Sequence, residues 1–274
     1  MEVDTGDALA RVNNLNEAVK KTVNRINTFP ASVSGSVLNA DDRLCPRAEL
    51  STHVGHHLVP SAIDHIWYLT NSIVETRLFP VFGSYTLARS TIETASTILW
   101  VLAPLDRDTR LKRHLRLEMA NANDARKMMR TQNEVGKFLG RAVSPDAPDD
   151  FVAGRIASLE AAAAGIELSL REMNQAPRMT SIIKDAAHES GESPQVFLDW
   201  QIASGAAHGK PWSGLLTRMP RDGWGAEARA DANTDRSAGI AKMVSTAERG
   251  LRILEQGLDR LEELRSTKEP PAKG

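Results

Sequence analysis

Cysteine is nearly absent from this sequence: Cys45 is the only one in 274 residues. No disulfide can form within the chain, which fits a reducing compartment. An excess of charge is also absent, with 34 Lys and Arg against 35 Asp and Glu and a formal net charge of −1. Nothing global draws the chain to nucleic acid or an anionic membrane, so such a partner would need a local patch. Long apolar runs are missing too. The longest, Ile98 to Leu105, falls well short of the roughly 20 residues that span a bilayer. The start, MEVDTGDALARV, is acidic and has no apolar stretch, so no secretion signal is expected. No segment alternates with the period of two that marks a strand, which argues against a sheet. A soluble, cytoplasmic chain without membrane contact is the expectation. At this length its core needs no metal or disulfide as a staple.

What the sequence holds in quantity is the helical apolar period. In residues 80–118, Val81, Tyr85, Ala88, Ile92, Ala95, Leu99 and Leu102 recur at spacings of four and three, one stripe of a helix. A second stripe, Arg89, Glu93, Ser96 and Trp100, runs about 100° round the cylinder. From Ile98 to Leu102 the helix is apolar nearly all round, as in a helix covered on most sides. Arg89 and Glu93 must then find partners, because an unpaired buried charge is very costly. On that reading Glu93→Ala costs roughly 2–4 kcal/mol.

The same period predicts helices over 7–28, 60–77, 107–139, 148–174, 179–190, 194–208 and 234–265. Phe29-Pro30 ends the first, and ASVSGSVLNADD reads as a loop by composition. Cys45 to Leu58 holds a short helical piece capped by Ser51. Asp106 is an N-cap for the helix 107–139, whose stripe is Leu111, Leu115, Met119, Ala122, Ala125, Met129 and Leu139. Val152, Ile156, Leu159, Ala163, Ile166, Leu170 and Met173 form an unbroken repeat to about Asn174. Gly209 to Asn233 reads as a long loop with room for a short hairpin. The economical fold is all-α, an antiparallel helical bundle with additional helices. Its expected parts are an N-terminal helix and linker (1–45), a helical-bundle domain (46–265) and a disordered tail (266–274).

Three groups of residues carry candidate chemistry. His53, His56 and His57, with Glu49 one turn earlier, make a metal geometrically possible on a helix. The HExxH pattern and a carboxylate-x-x-His partner are both missing, so a surface or capping cluster is expected, with no metal and no other cofactor. Next comes the basic run Arg107, Arg110, Lys112, Arg113, His114 and Arg116. Arg110, Arg113 and His114 share a face near a helix start, where backbone N–H groups also attract anions, and form a candidate phosphate-binding site. No aromatics are interleaved, so the competing reading is a solvated face. The third group is Asp64 and His65, Arg89 and Glu93, and Gln201, Ser204 and His208, drawn from three helices. It reads either as a structural polar network that fixes helix register or as an active site between bundle helices.

The combination of Asp64-His65, LARSTIETASTILWVLAP, RDTRLKRH and WQIASGAAHGKPW resembles a broad group of bacterial all-helical proteins. Their signature is R-S-x-x-E near a central Trp, then paired Arg residues and a late S-x-x-x-H-G. The resemblance covers about 60–215. More distantly, the late helix resembles the HEPN superfamily, whose ribonuclease members carry Arg, four to six residues, then His on the last bundle helix. His208 matches the histidine, and Gln201 stands seven residues earlier in place of Arg. The resemblance implies a HEPN-like bundle that acts through binding or self-association. It implies RNA or nucleotide phosphate as partner, a homo-oligomer, and a bacterial toxin or phage-defence context. It also implies a ribonuclease alternative, in which His208 transfers a proton and Arg89 or Arg113 replaces the missing Arg beside Glu93. With Gln201 in that position, little ribonuclease activity is expected of the chain by itself.

Overall fold

Apolar stripes at helical spacing fold as helices throughout the chain. The computed structural model describes residues 5–29, 33–140, 147–213 and 233–268. Its helices are α1 (Thr5–Asn27), α2 (Val37–Leu44), α3 (Leu50–Thr52), α4 (Val59–Thr76), α5 (Val81–Leu102) and α6 (Arg107–Phe138). They continue as α7 (Ala147–Ala164), α8 (Leu170–Met173), α9 (Met179–Glu189), α10 (Gln195–Ala207) and α11 (Asn233–Ser266). A π-helical segment, His53–Leu58, joins α3 to α4. The described residues contain no strand, only an isolated antiparallel bridge between Ser36 and Lys268. No helix among them is long and apolar enough to cross a membrane. The chain is all-α, as its periodicity requires.

Two compact units divide it: residues 1–30, 57–100 and 179–262 form the first, and 31–56, 101–178 and 263–274 the second. These bounds differ from a division at residue 45, because α1 packs on α4 within the first unit. The tail beyond residue 268 and the loop 214–232 lie outside the described residues.

In the first unit α5 is the buried helix. Tyr85, Ala88, Ile92, Ala95 and Leu99 of its stripe are buried, and Ile98 and Trp100 are buried on other sides; the side chain of Val81 lies outside the described residues. Threonine hydroxyls are turned back on its own backbone, Thr91, Thr94 and Thr97 each donating to the carbonyl four residues earlier. Two glycines of α11, seven residues apart, let that helix approach α5 closely. A Cβ on Gly250 would stand 3.0 Å from Thr91 Cγ2, and one on Gly257 only 2.7 Å from Ile98 Cγ2. The spacing over 234–265 predicts a stripe of Ile240, Val244, Ala247, Leu251, Leu254, Leu258 and Leu261 on α11, and all of these are buried but Ile240, which is half-buried. Asp199 of α10, fully buried, accepts from Gln195 and from Arg249 at 2.8 Å each and pairs with Lys242, which ties α10 to α11.

In the second unit the apolar cluster is Cys45, Leu111, Leu115, Met119, Ala122, Val152, Leu159, Ala163, Ile166 and Met173, with a few neighbours. Asp106 caps α6 by accepting from the Thr109 backbone N–H at 2.8 Å, as its type predicts. Four readings of the sequence need correction here. Residues 37–44 are helical, because the Ser36 hydroxyl accepts from Asn39 N–H and the helix buries Leu38 and Ala40. The repeat from Val152 breaks after Ala164: Glu167 takes a left-handed φ of 52°, and a Ser169–Glu172 capping box starts α8. Leu170 is therefore exposed. The last turn of α6 stands free of the cluster, leaving Phe138 at 90% and Leu139 at 54% exposed. Finally, Pro60 does not start a new helix; α3, the π segment and α4 run on without interruption.

Two substitutions test this packing. Gly257→Ala gains about 1 kcal/mol of helix propensity, but its methyl meets a β-branched side chain that is stiff in a helix. A net loss of roughly 1–2 kcal/mol in urea unfolding is expected, since overpacking typically costs more than the propensity returns. Asp41, fully buried, accepts from Arg107 Nε at 3.0 Å and Arg110 Nε at 2.7 Å. Asp41→Ala leaves Arg110 buried without its carboxylate and is expected to cost about 3–5 kcal/mol.

Candidate functional site

The first unit brings together residues of α5 and of the α10 end that lie far apart in sequence. Arg89 and Glu93 are one turn apart on α5, and Arg89 Nε donates to Glu93 Oε1 at 2.8 Å. Trp200 of α10 donates its indole N–H to the same oxygen, also at 2.8 Å. The carboxylate is thereby fixed and in turn orients the guanidinium. Arg89 Nη1 then lies 2.9 Å from Nε2 of His208, 119 residues away. An arginine can only donate, so this nitrogen of His208 is the acceptor and its ring proton sits on Nδ1. No hydrogen-bond partner reaches Arg89 Nη2 among the described residues.

The segment SGAAHGKPW explains how His208 is held. Gly209 N–H donates to Ala206 O at 3.0 Å and Lys210 N–H to Gly205 O at 2.9 Å, the paired bonds of a Schellman turn. Gly209 supplies the left-handed φ of 61° that the turn requires. Gly205 is needed because the returning Trp212 ring would stand 2.6 Å from a Cβ there. Both glycines thus have packing reasons. His208 has none: it caps α10, is exposed, and touches the rest of the unit through Arg89.

The other members of this group are peripheral. His65 of α4 is half-buried, and burial lowers its pKa against the pull of the Asp64 and Glu93 carboxylates. Its Nδ1 has no hydrogen-bond partner among the described residues. Asp64 and Gln201 are exposed, and neither they nor Ser204 side chains bond to Arg89, Glu93 or His208 among the described contacts. Phe197, on the same helical stripe as Gln201, Ser204 and His208, has its ring centroid 5.6 Å from that of Trp200 and tilted by 31°, and Lys184 Nζ lies 4.6 Å over the Phe197 ring.

The second unit treats the basic run differently from a solvated anion-binding face. Arg110 is 1% exposed, bound to Asp41 and donating Nη1 to Pro104 O at 2.9 Å. His114 is fully buried, and its Nε2 lies 2.6 Å from Ala48 O. Arg113 alone of the three is half-exposed. The sequence grouped them by their helical face without seeing that Asp41 and Ala48 cover that face. His53, His56 and His57 likewise separate: His53 is buried, while His56 and His57 are exposed. In a π-helix hydrogen bonds run to the fifth residue, so positions four apart no longer align. His53 Nδ1 instead lies 2.7 Å from Glu118 Oε1, and its ring centroid 5.7 Å from that of His114. Arg155 pairs with Glu118 Oε2. Burial alone would raise the Glu118 pKa, but the His53 hydrogen bond and the surrounding positive charges hold it well below the usual carboxylate range. Burial pushes His114 down to about 4, so its imidazole is neutral at physiological pH.

Both Arg89 and Glu93 keep a fifth to a quarter of their side-chain surface in water. The cost of Glu93→Ala therefore drops below that of a sealed pair, to about 1 kcal/mol. Urea unfolding measures it, and a shift in Trp200 emission reports loss of the indole hydrogen bond. Compared with known protein families, curated proteins and solved structures, the chain has no significant match.

Proposed function

We propose that the first unit binds a phosphate group of RNA or of a nucleotide between Arg89 and His208. The observation that carries this reading is their 2.9 Å contact at the surface, fixed from below by Glu93 and Trp200. A guanidinium whose Nε is engaged still offers both terminal nitrogens, the geometry that recognises phosphate oxygens. An anion entering between the two side chains takes Arg89 as donor and lets His208 protonate and donate as well. Anion binding and proton uptake on the imidazole are then linked. Phe197, Trp200 and the half-exposed Trp212 offer ring faces on the same helix and its return, which suits an unpaired base beside the phosphate.

The same pair favours a second reading, RNA cleavage. Arg89 supports it by supplying from α5 the cation that Gln201 does not supply on α10. His208 Nε2 would take the ribose 2′-hydroxyl proton as that oxygen bonds to phosphorus and the 5′-oxygen leaves, protonated by solvent. Arg89 would hold the charge that develops on the phosphoryl oxygens.

Equilibrium binding of a fluorescent single-stranded RNA and of ATP tests the proposal. Arg89→Ala and His208→Ala are each expected to weaken binding about tenfold, some 1.4 kcal/mol, while the melting temperature barely moves. Unchanged affinity in both variants would sink the phosphate reading. Cleavage of the RNA that disappears in His208→Ala would promote the enzyme.

A further inference from the structure

The second unit holds a donor set that the phosphate reading does not use. His114 and Glu118 stand four residues apart on α6, which places them on one face, and His53 reaches them from the start of the π-helical segment. One donor atom from each lies within 4.8 Å of the others. We propose that His53, His114 and Glu118 bind a divalent transition-metal ion of the zinc class, with water completing its coordination.

The decisive residue is His114. Its Nε2 is committed to the Ala48 carbonyl, 2.6 Å away, so the ring proton sits there and the lone pair is on Nδ1. Nδ1 is fully buried and has no hydrogen-bond partner among the described residues. An acceptor left unmet in the interior costs about 1–3 kcal/mol, and a backbone carbonyl on the far nitrogen is the usual way of orienting a ligating imidazole. A purely structural network of His53, Glu118 and Arg155 meets both Glu118 oxygens but leaves His114 Nδ1 with nothing to accept.

The remaining donors are arranged to suit. Glu118 divides its two oxygens: Oε2 meets Arg155, and Oε1 faces His53 Nδ1 at 2.7 Å, with Asn121 Nδ2 at 3.2 Å. A cation would replace the proton shared by His53 Nδ1 and Glu118 Oε1, and that proton would pass to solvent. Around a tetrahedral metal with bonds of about 2.0–2.1 Å the donors stand roughly 3.3 Å apart, so the widest pair closes by roughly 1.5 Å at most while His53 Nδ1 and Glu118 Oε1 open by about half an ångström. Two imidazoles and one carboxylate exclude calcium and magnesium, which require oxygen donors, and select zinc, ferrous iron or cobalt. A π-helical turn at the point where His53 enters is itself a feature that recurs at functional sites.

Cobalt is the probe, because its visible d–d absorption reports coordination rather than mere stability. The full chain, stripped with chelator, is titrated with cobalt and separately with zinc. Near one equivalent, cobalt is expected to produce d–d bands and zinc to raise the melting temperature by several degrees. His53→Gln and Glu118→Gln are expected to abolish both, whereas a His56→Ala, His57→Ala double variant keeps both. His114→Ala removes a fully buried ring, so circular dichroism must show that it folds before its loss of binding counts; the two Gln variants decide the matter without it. Absence of bands and of a melting shift in the wild type would mean that a water fills the space, and overturns the proposal. So would bands that survive in His53→Gln, or that vanish with the exposed pair His56 and His57.

Discussion

A helix covered on most sides must have its charges and most of its polar groups met from within, and α5 imposes that condition on the first unit, with only the buried hydroxyls of Ser84 and Ser96 left unmet on this helix among the described contacts. Its threonines answer it locally, by donating to carbonyls one turn back. Its indole at Trp100 reaches Asp185 at 3.0 Å. Its apolar surface is met by α11, which gives up side chains at Gly250 and Gly257 to come close. Arg89 and Glu93 cannot be answered by the backbone. Their solution, a carboxylate that accepts from both Arg89 and Trp200, leaves the guanidinium with terminal nitrogens to spare and aims one at His208. The candidate site is thus a by-product of how charge is accommodated on a covered helix.

The segment around His208 separates packing from function. Gly205 and Gly209 follow from steric and dihedral constraints, one admitting Trp212 and the other closing the helix. A polar cap of almost any kind would serve at position 208, since the Schellman bonds are made by its neighbours' backbone. An exposed imidazole held against an arginine therefore calls for an explanation that stability does not give.

Helices were legible in the sequence wherever the apolar stripe was long, as in α5 and α11, because burial on one face enforces the period. Segment 37–44 was not legible: Ser36 and Gly35 look like loop residues, and the helix depends on a cap and a few buried side chains. The break before α8 was hidden because Ile166 and Met173 stay buried after the helix has ended, so the pattern outlives the geometry. Arg89, Glu93 and His208 could be picked out by type and face, but their meeting across 119 residues is a tertiary fact. His114 and Glu118 carried a readable signal, a four-residue spacing, that was lost inside a run judged by its charge.

The two polar clusters of the second unit show why satisfaction matters more than burial. Asp41 and Arg110 are buried, and the carboxylate meets both Arg110 and the partly exposed Arg107 while Ala40 and Pro104 carbonyls take further N–H donors. Both oxygens of its carboxylate are taken by guanidinium groups, so its role is architectural. His53, His114 and Glu118 lie on the same helix and its neighbours, yet an imidazole lone pair there has nothing to accept. His53, at 9% exposure, gives this second cluster an edge near solvent that Asp41, at 0%, lacks. Each cluster leaves a nitrogen unmet, but Arg110 Nη2 is a donor on a cation whereas His114 Nδ1 is a lone pair, and only a lone pair can ligate a metal.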